Sequence, residues 1–181
     1  MRKIHTFWAA VTGLLVLAGL ALCAVGLRNG TLLVKTQEDP GRVVTAFFEE
    51  LTAGEWDAAY GRLSNYRSLG LENAPRSGES ALLLAALRDS YRCSLLEPAE
   101  QRGDTAVQRI RLRFLDLDAL ETGIAAGEAA DLAGALSVPE AFTAQADYAV
   151  ALTFDGAEWR IELDPALLDA VQGRAPGEGA A

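Results

Sequence analysis

At 181 residues, half of them apolar, the chain has room for one domain with a sizeable core plus short extras. Its formal charge is −9, and beyond Arg28 it carries 13 basic against 25 acidic residues, a field that repels phosphate backbones and argues against nucleic acid as a partner. Two cysteines, Cys23 and Cys93, offer no disulfide framework, so the fold must rest on its apolar core.

Residues 7–27 are an uninterrupted run of apolar and small residues between Arg2 and Lys3 on one side and Arg28 on the other. At about 1.5 Å per helical residue the run spans a hydrocarbon core of about 30 Å. Trp8 sits where an interfacial aromatic belongs. Residues 1–28 are therefore expected to be a single-pass transmembrane anchor. A cleaved signal peptide is the alternative, with weak small-x-small sites at Ala21-Leu22-Cys23 and Ala24-Val25-Gly26. A lipoprotein leader is a third, but Leu22 is large for the position before the cysteine and the apolar run continues past it. Charge leaves the orientation open, with Arg28, Lys35 and Arg42 answering Arg2 and Lys3. A short leader before a long C-terminal domain predicts that the domain is extracytoplasmic at the cell membrane.

A spacer over 29–38 leads to the stretch around which the rest is organised. Asp39 suits an N-cap and Pro40 the first helical position. Val43, Val44, Phe47, Phe48 and Leu51 recur at three- and four-residue steps, which gives one apolar stripe. Gly54 is expected to end that helix in the left-handed conformation, and Trp56, Ala59, Tyr60 and Leu63 to continue the stripe in a second. Residues 64–80 read as a loop. A third helix is predicted over 79–92, with Leu83, Leu84, Leu87 and Tyr91 on one side and Ser77 or Ser80 as its cap.

The period then changes to two. Residues 93–98 read as a strand, and Arg102-Gly103-Asp104 as the turn into a longer one over 105–115. There Ile110, Leu112 and Phe114 share one face and Arg109, Arg111 and Arg113 the other. Residues 116–145 interrupt the alternation as an Ala-rich, acidic insertion with helical content over 117–136. A hairpin over 146–154 and 157–163 turns at Asp155-Gly156. Asp164-Pro165 repeats the cap-plus-proline signature and starts a helix through Val171, and residues 173–181 are expected to be a disordered tail.

Helices first and strands after, with "Asp-Pro…Val-Val…Phe-Phe-Glu-Glu-Leu…Gly-Glu-Trp-Asp-Ala-Ala-Tyr" early and "Phe-Asp-Gly…Trp-Arg-Ile" late, resemble the nuclear transport factor 2-like superfamily. The likeness is to its membrane-tethered bacterial branches. It implies an α+β fold, the ketosteroid-isomerase-like or SnoaL-like cone, in which a curved antiparallel sheet wraps around N-terminal helices over 39–172. The insertion at 116–145 is longer than the usual connection. Enzymes of this superfamily work through a carboxylate, tyrosine or histidine inside the cone. No position here matches those motifs, and the only histidine, His5, precedes the apolar run.

An open cone is expected to keep an apolar pocket between helices and sheet, lined here by Trp56, Tyr60, Phe114, Tyr148 and Trp159. The plainer alternative is that these rings fill the space. Arg109, Arg111 and Arg113 could hold an anion or an acidic partner, but are expected to form a solvated face or to pair with acids such as Glu97 or Glu162. Glu49, Glu50, Glu55 and Asp57 lack calcium-loop spacing, so no metal is expected, and nothing specifies a cofactor. Asp57 and Tyr60, one helical turn apart, are the acid–phenol pair an isomerase would need. The expected role is a non-catalytic module for a small apolar ligand or a membrane protein. A cryptic isomerase-like enzyme and a homodimerising accessory domain are the alternatives.

Overall fold

The computed structural model describes residues 38–66, 68–73 and 77–175. The apolar run at 7–27 lies outside them; among the described residues no helix is long and apolar enough to cross a membrane. The described chain is an α+β fold with a five-stranded, curved antiparallel sheet.

Helix α1, Pro40–Ala53, forms where the Asp39 carboxylate accepts the Gly41 amide at 2.7 Å and Pro40 occupies the first turn. All five residues of its predicted stripe are buried. Gly54, at φ +75°, closes it, and the Glu55 amide reaches back to the Glu50 carbonyl. Helix α2, Trp56–Gly61, is short, and Arg62 ties it to α1 through a forked pair with Glu50 at 2.6 and 2.7 Å. A single 3₁₀ turn follows at Leu71–Asn73.

Helix α3, Glu79–Ser90, departs from expectation at its start. Gly78 is the N-cap and no side chain caps it; neither Ser77 nor Ser80 does. Only Leu87 of its apolar residues is fully buried, and Tyr91 is buried just past its end. Helix and turn therefore hang on tertiary packing more than on local signals.

Strand β1, Arg92–Leu95, and strand β2, Glu100–Arg102, both pair with β3, Thr105–Leu115, at different points along its length. Strand β4, Thr143–Phe154, pairs with the whole of β3, and β5, Trp159–Glu162, with the end of β4. Strand β3 alternates as predicted, with Ile110, Leu112 and Phe114 buried and Arg109 and Arg111 exposed.

The 116–145 segment holds helix α4, Leu117–Ala125, helix α5, Leu132–Ser137, and a 3₁₀ turn, Pro139–Phe142. It ends three residues early, because Thr143, Ala144 and Gln145 pair with Leu115, Phe114 and Arg113. The hairpin loop is also longer than a two-residue primed turn. Phe154 pairs with Trp159, and the Asp155 carboxylate accepts the Ala157 and Glu158 amides between them. Helix α6, Pro165–Val171, starts on the Asp164 cap. Gln172 and Gly173 belong to the packed unit: Gln172 Nε2 donates to the Leu69 carbonyl, and the Gly173 carbonyl accepts the Leu117 amide.

Helix α1 contacts β1, β3 and β5, so it crosses the sheet, and the core lies between them. Val44, Phe47, Leu51, Ile110, Phe114, Leu152 and Trp159 are all at most 1% exposed.

Candidate functional site

The alternation of β3, β4 and β5 turns Phe114, Tyr148 and Trp159 inward, onto the side covered by α1. Phe114 is completely buried and Trp159 lies against Phe154 with ring centres 5.4 Å apart. Tyr148 is 8% exposed and Trp159 1%. Yet Tyr148 Oη and Trp159 Nε1 have no hydrogen-bond partner among the described residues. Both are donors, and a buried donor left unpaired costs about 1–3 kcal/mol. Burial, reinforced by Asp164 and Asp169, pushes the Tyr148 phenol up to about 12. It therefore stays protonated and able to donate.

Trp56 and Tyr60 sit elsewhere, on a surface cleft of about 440 Å³ that also takes in Glu55, Asp57 and Glu72. Their rings stack at 6.4 Å and 24°. The Arg88 guanidinium lies 5.8 Å from the centre of the Trp56 ring and donates to the Thr52 carbonyl at 2.9 and 3.2 Å. Phe114, Tyr148 and Trp159 do not line this cleft, so the five predicted residues are not brought together, although Tyr60 itself is buried.

The acid facing the Tyr60 phenol is Glu72, not Asp57. Tyr60 Oη donates to Glu72, which also accepts from Ser68. Burial first, then the bond to Glu72, pushes the Tyr60 phenol above its usual value. For Glu72 burial acts upward, but the bonds from Ser68 and Tyr60 outweigh it and hold the carboxyl below its usual range. The pair rests as phenol and carboxylate, with the proton on the tyrosine. Glu72 and Arg88 were the residues missed by reading the sequence. Glu72 lies in a loop and reaches Tyr60 only through the 3₁₀ turn, so no periodic signal pointed to it.

A second surface groove, of about 460 Å³, runs between α1 and the start of β1 and includes Thr45, Phe48, Thr52, Tyr91 and Cys93. Burial pushes the Cys93 thiol up to about 12, which leaves it a packing residue rather than a nucleophile. On the opposite face of the sheet the arginine stripe is paired: Arg109 with Glu97 at 3.6 Å, Arg111 with Asp147 at 2.7 Å, Arg113 with Glu140 at 3.6 Å. Glu162 instead accepts from Thr153. Among the described residues no three of His, Cys, Asp and Glu gather in a metal-binding group. No family model, no curated protein and no solved structure matches this chain.

Proposed function

We propose that the chain is a non-catalytic binding module of the nuclear transport factor 2-like kind, anchored at a bacterial cell membrane by residues 7–27 with its α+β domain extracytoplasmic. On this reading it holds a small, mainly apolar ligand between α1 and the concave sheet. The observation that carries it is the pair of buried, unpartnered donors, Tyr148 Oη and Trp159 Nε1, on two residues expected from the sequence to line such a site. A ligand offering either of them an acceptor oxygen on an apolar body recovers the cost of burying that donor.

The test is the mass of residues 29–181 under native and denaturing conditions, with Tyr148→Phe alongside. Extra mass that survives natively, vanishes on denaturation and is reduced in the variant supports the reading. A bare mass, with Tyr148→Phe at least as stable as the parent, sinks it, because removing an unused buried hydroxyl then relieves a penalty. The isomerase alternative rests on Tyr60 with Glu72. It requires Tyr60→Phe to abolish turnover of a ketosteroid-like substrate without loss of fold.

A further inference from the structure

The two edges of the sheet are finished differently. At the β5 edge the chain after α2 closes the ladder: Ile161 donates to the Arg62 carbonyl at 2.8 Å and Ser64 to the Ile161 carbonyl at 2.9 Å. Asn65 completes the seal by accepting the Leu163 amide and donating to the Leu163 carbonyl.

Strand β1 forms the other edge, and there nothing equivalent is present among the described residues. The Leu96 amide bonds the Arg109 carbonyl, which with the register Arg92↔Arg113 and Ser94↔Arg111 sets residues 92, 94 and 96 toward β3. Cys93 and Leu95 therefore turn their amides and carbonyls away from the sheet, and no backbone partner meets them among the described residues. Two large apolar side chains lie exposed on the same edge, Leu95 at 44% and Leu96 at 41%. Residues 92–96 include no carboxylate, in a chain that holds 25 acidic residues. An open, apolar, uncharged-to-basic edge is what a pairing strand needs and what an unpaired one avoids.

We propose that β1 pairs antiparallel with β1 of a second copy about a two-fold axis through Ser94, joining the two sheets edge to edge. The register is self-complementary. Cys93 faces Leu95 of the second copy and Leu95 faces Cys93, so the four outward amides and four outward carbonyls are positioned to pair reciprocally. Leu96 then covers the stem of Arg92 from the second copy. No acid is brought opposite another acid. The contact is short, below the roughly 1,200 Å² of a standard interface, so the dimer is weak and concentration-dependent.

Cross-linking in the full chain, solubilised in detergent and with Cys23→Ser and Cys93→Ala, reads this geometry. Ser94 meets its own copy as a non-hydrogen-bonded pair with Cα atoms about 4.5 Å apart, within the roughly 4.4–6.8 Å span of a disulfide. Ser94→Cys is expected to form an intermolecular disulfide about tenfold faster than Arg92→Cys, which has no cysteine opposite. Adding Leu95→Pro removes one outward donor while sparing the ladder to β3, and should abolish the advantage. Val107→Glu, on the outer sheet face, should leave it intact. The Cys93 and Leu95 amides of the native chain should also exchange more slowly as concentration rises. Equal rates for Ser94→Cys and Arg92→Cys, or an advantage that survives Leu95→Pro but is lost with Val107→Glu, would overturn the edge contact. So would a chain that stays monomeric with Leu95 exchange independent of concentration, which would leave the edge to a different polypeptide.

Discussion

Gly54 holds φ at +75°, and a β-carbon there would stand 2.8 Å from the Arg88 guanidinium carbon. Gly54→Ala thus meets two costs at once, the left-handed backbone and the displacement of Arg88 from the Thr52 carbonyl and the Trp56 ring. A loss of about 1–2 kcal/mol is expected in a urea titration. Two buried tyrosines make a sharper comparison. Tyr91 Oη donates to the Val171 carbonyl across 80 residues of chain, whereas Tyr148 Oη donates to nothing among the described residues. Tyr91→Phe should cost about 1–3 kcal/mol, because it strands a buried carbonyl. With no ligand bound, Tyr148→Phe should cost nothing or stabilise. The same exchange with opposite outcomes at two sites would separate the tyrosine hydroxyl that has a native acceptor from the one that lacks it among the described residues.

At the scale of elements, the β4–β5 loop turns on Asp155, whose carboxylate accepts the Ala157 and Glu158 amides and pairs with Arg160 at 3.1 Å. Those backbone bonds, led by Glu158, draw its pKa from 3.8 to about 2. A depressed carboxyl contributes stability that is complete above its unfolded value and is lost as pH falls through the folded one. The hairpin should therefore hold above about pH 4 and loosen toward pH 2, and Asp155→Asn should flatten that dependence. Amide exchange at Ala157 and Glu158 would follow it. The elements that could be read from the sequence have their causes close by. Asp39-Pro40 and Asp164-Pro165 each begin a helix because cap and proline act within one turn. The parity of 105–115 places its arginines outward because a period of two leaves no choice. What escaped is set by distant partners. Strand β4 starts at Thr143 only because Leu115 is there to pair with it, and the cap of α3 carries no side-chain signature. The insertion breaks into two helices at a segment where Gly127 takes φ +78°. Gln108 could have been noticed, since it is the polar residue at an inward position of β3. It is 1% exposed and satisfied by the Glu97 and Arg109 carbonyls. The candidate site was legible as residue types but not as an assembly, because the three rings inside the sheet and the two at the cleft have the same spacing signals.

Across the whole molecule, stability depends on late chain returning to early chain. Residues 171–173 hold three separate segments: Val171 accepts Tyr91, Gly173 accepts Leu117 at 2.7 Å, and Gln172 donates to Leu69 at 3.3 Å. Leu167, Ala170 and Val171 are at most 2% exposed, so α6 also closes the core. Gly173 has no spare room, since a β-carbon would stand 2.8 Å from Leu117 Cγ, and its φ of +79° already excludes most side chains. A chain ended after Leu163 loses these contacts together. Burial of Leu167 and Val171 alone is worth about 1.5–3 kcal/mol each. With the lost hydrogen bonds of residues 171–173 their sum reaches the lower part of the roughly 5–15 kcal/mol that holds a domain folded. Such a truncation should leave no cooperative thermal transition, while Gly173→Ala should keep the transition at a lower midpoint. If the truncated chain melted cooperatively near the parent midpoint, α6 would be an accessory to a core already closed by α1 and the sheet.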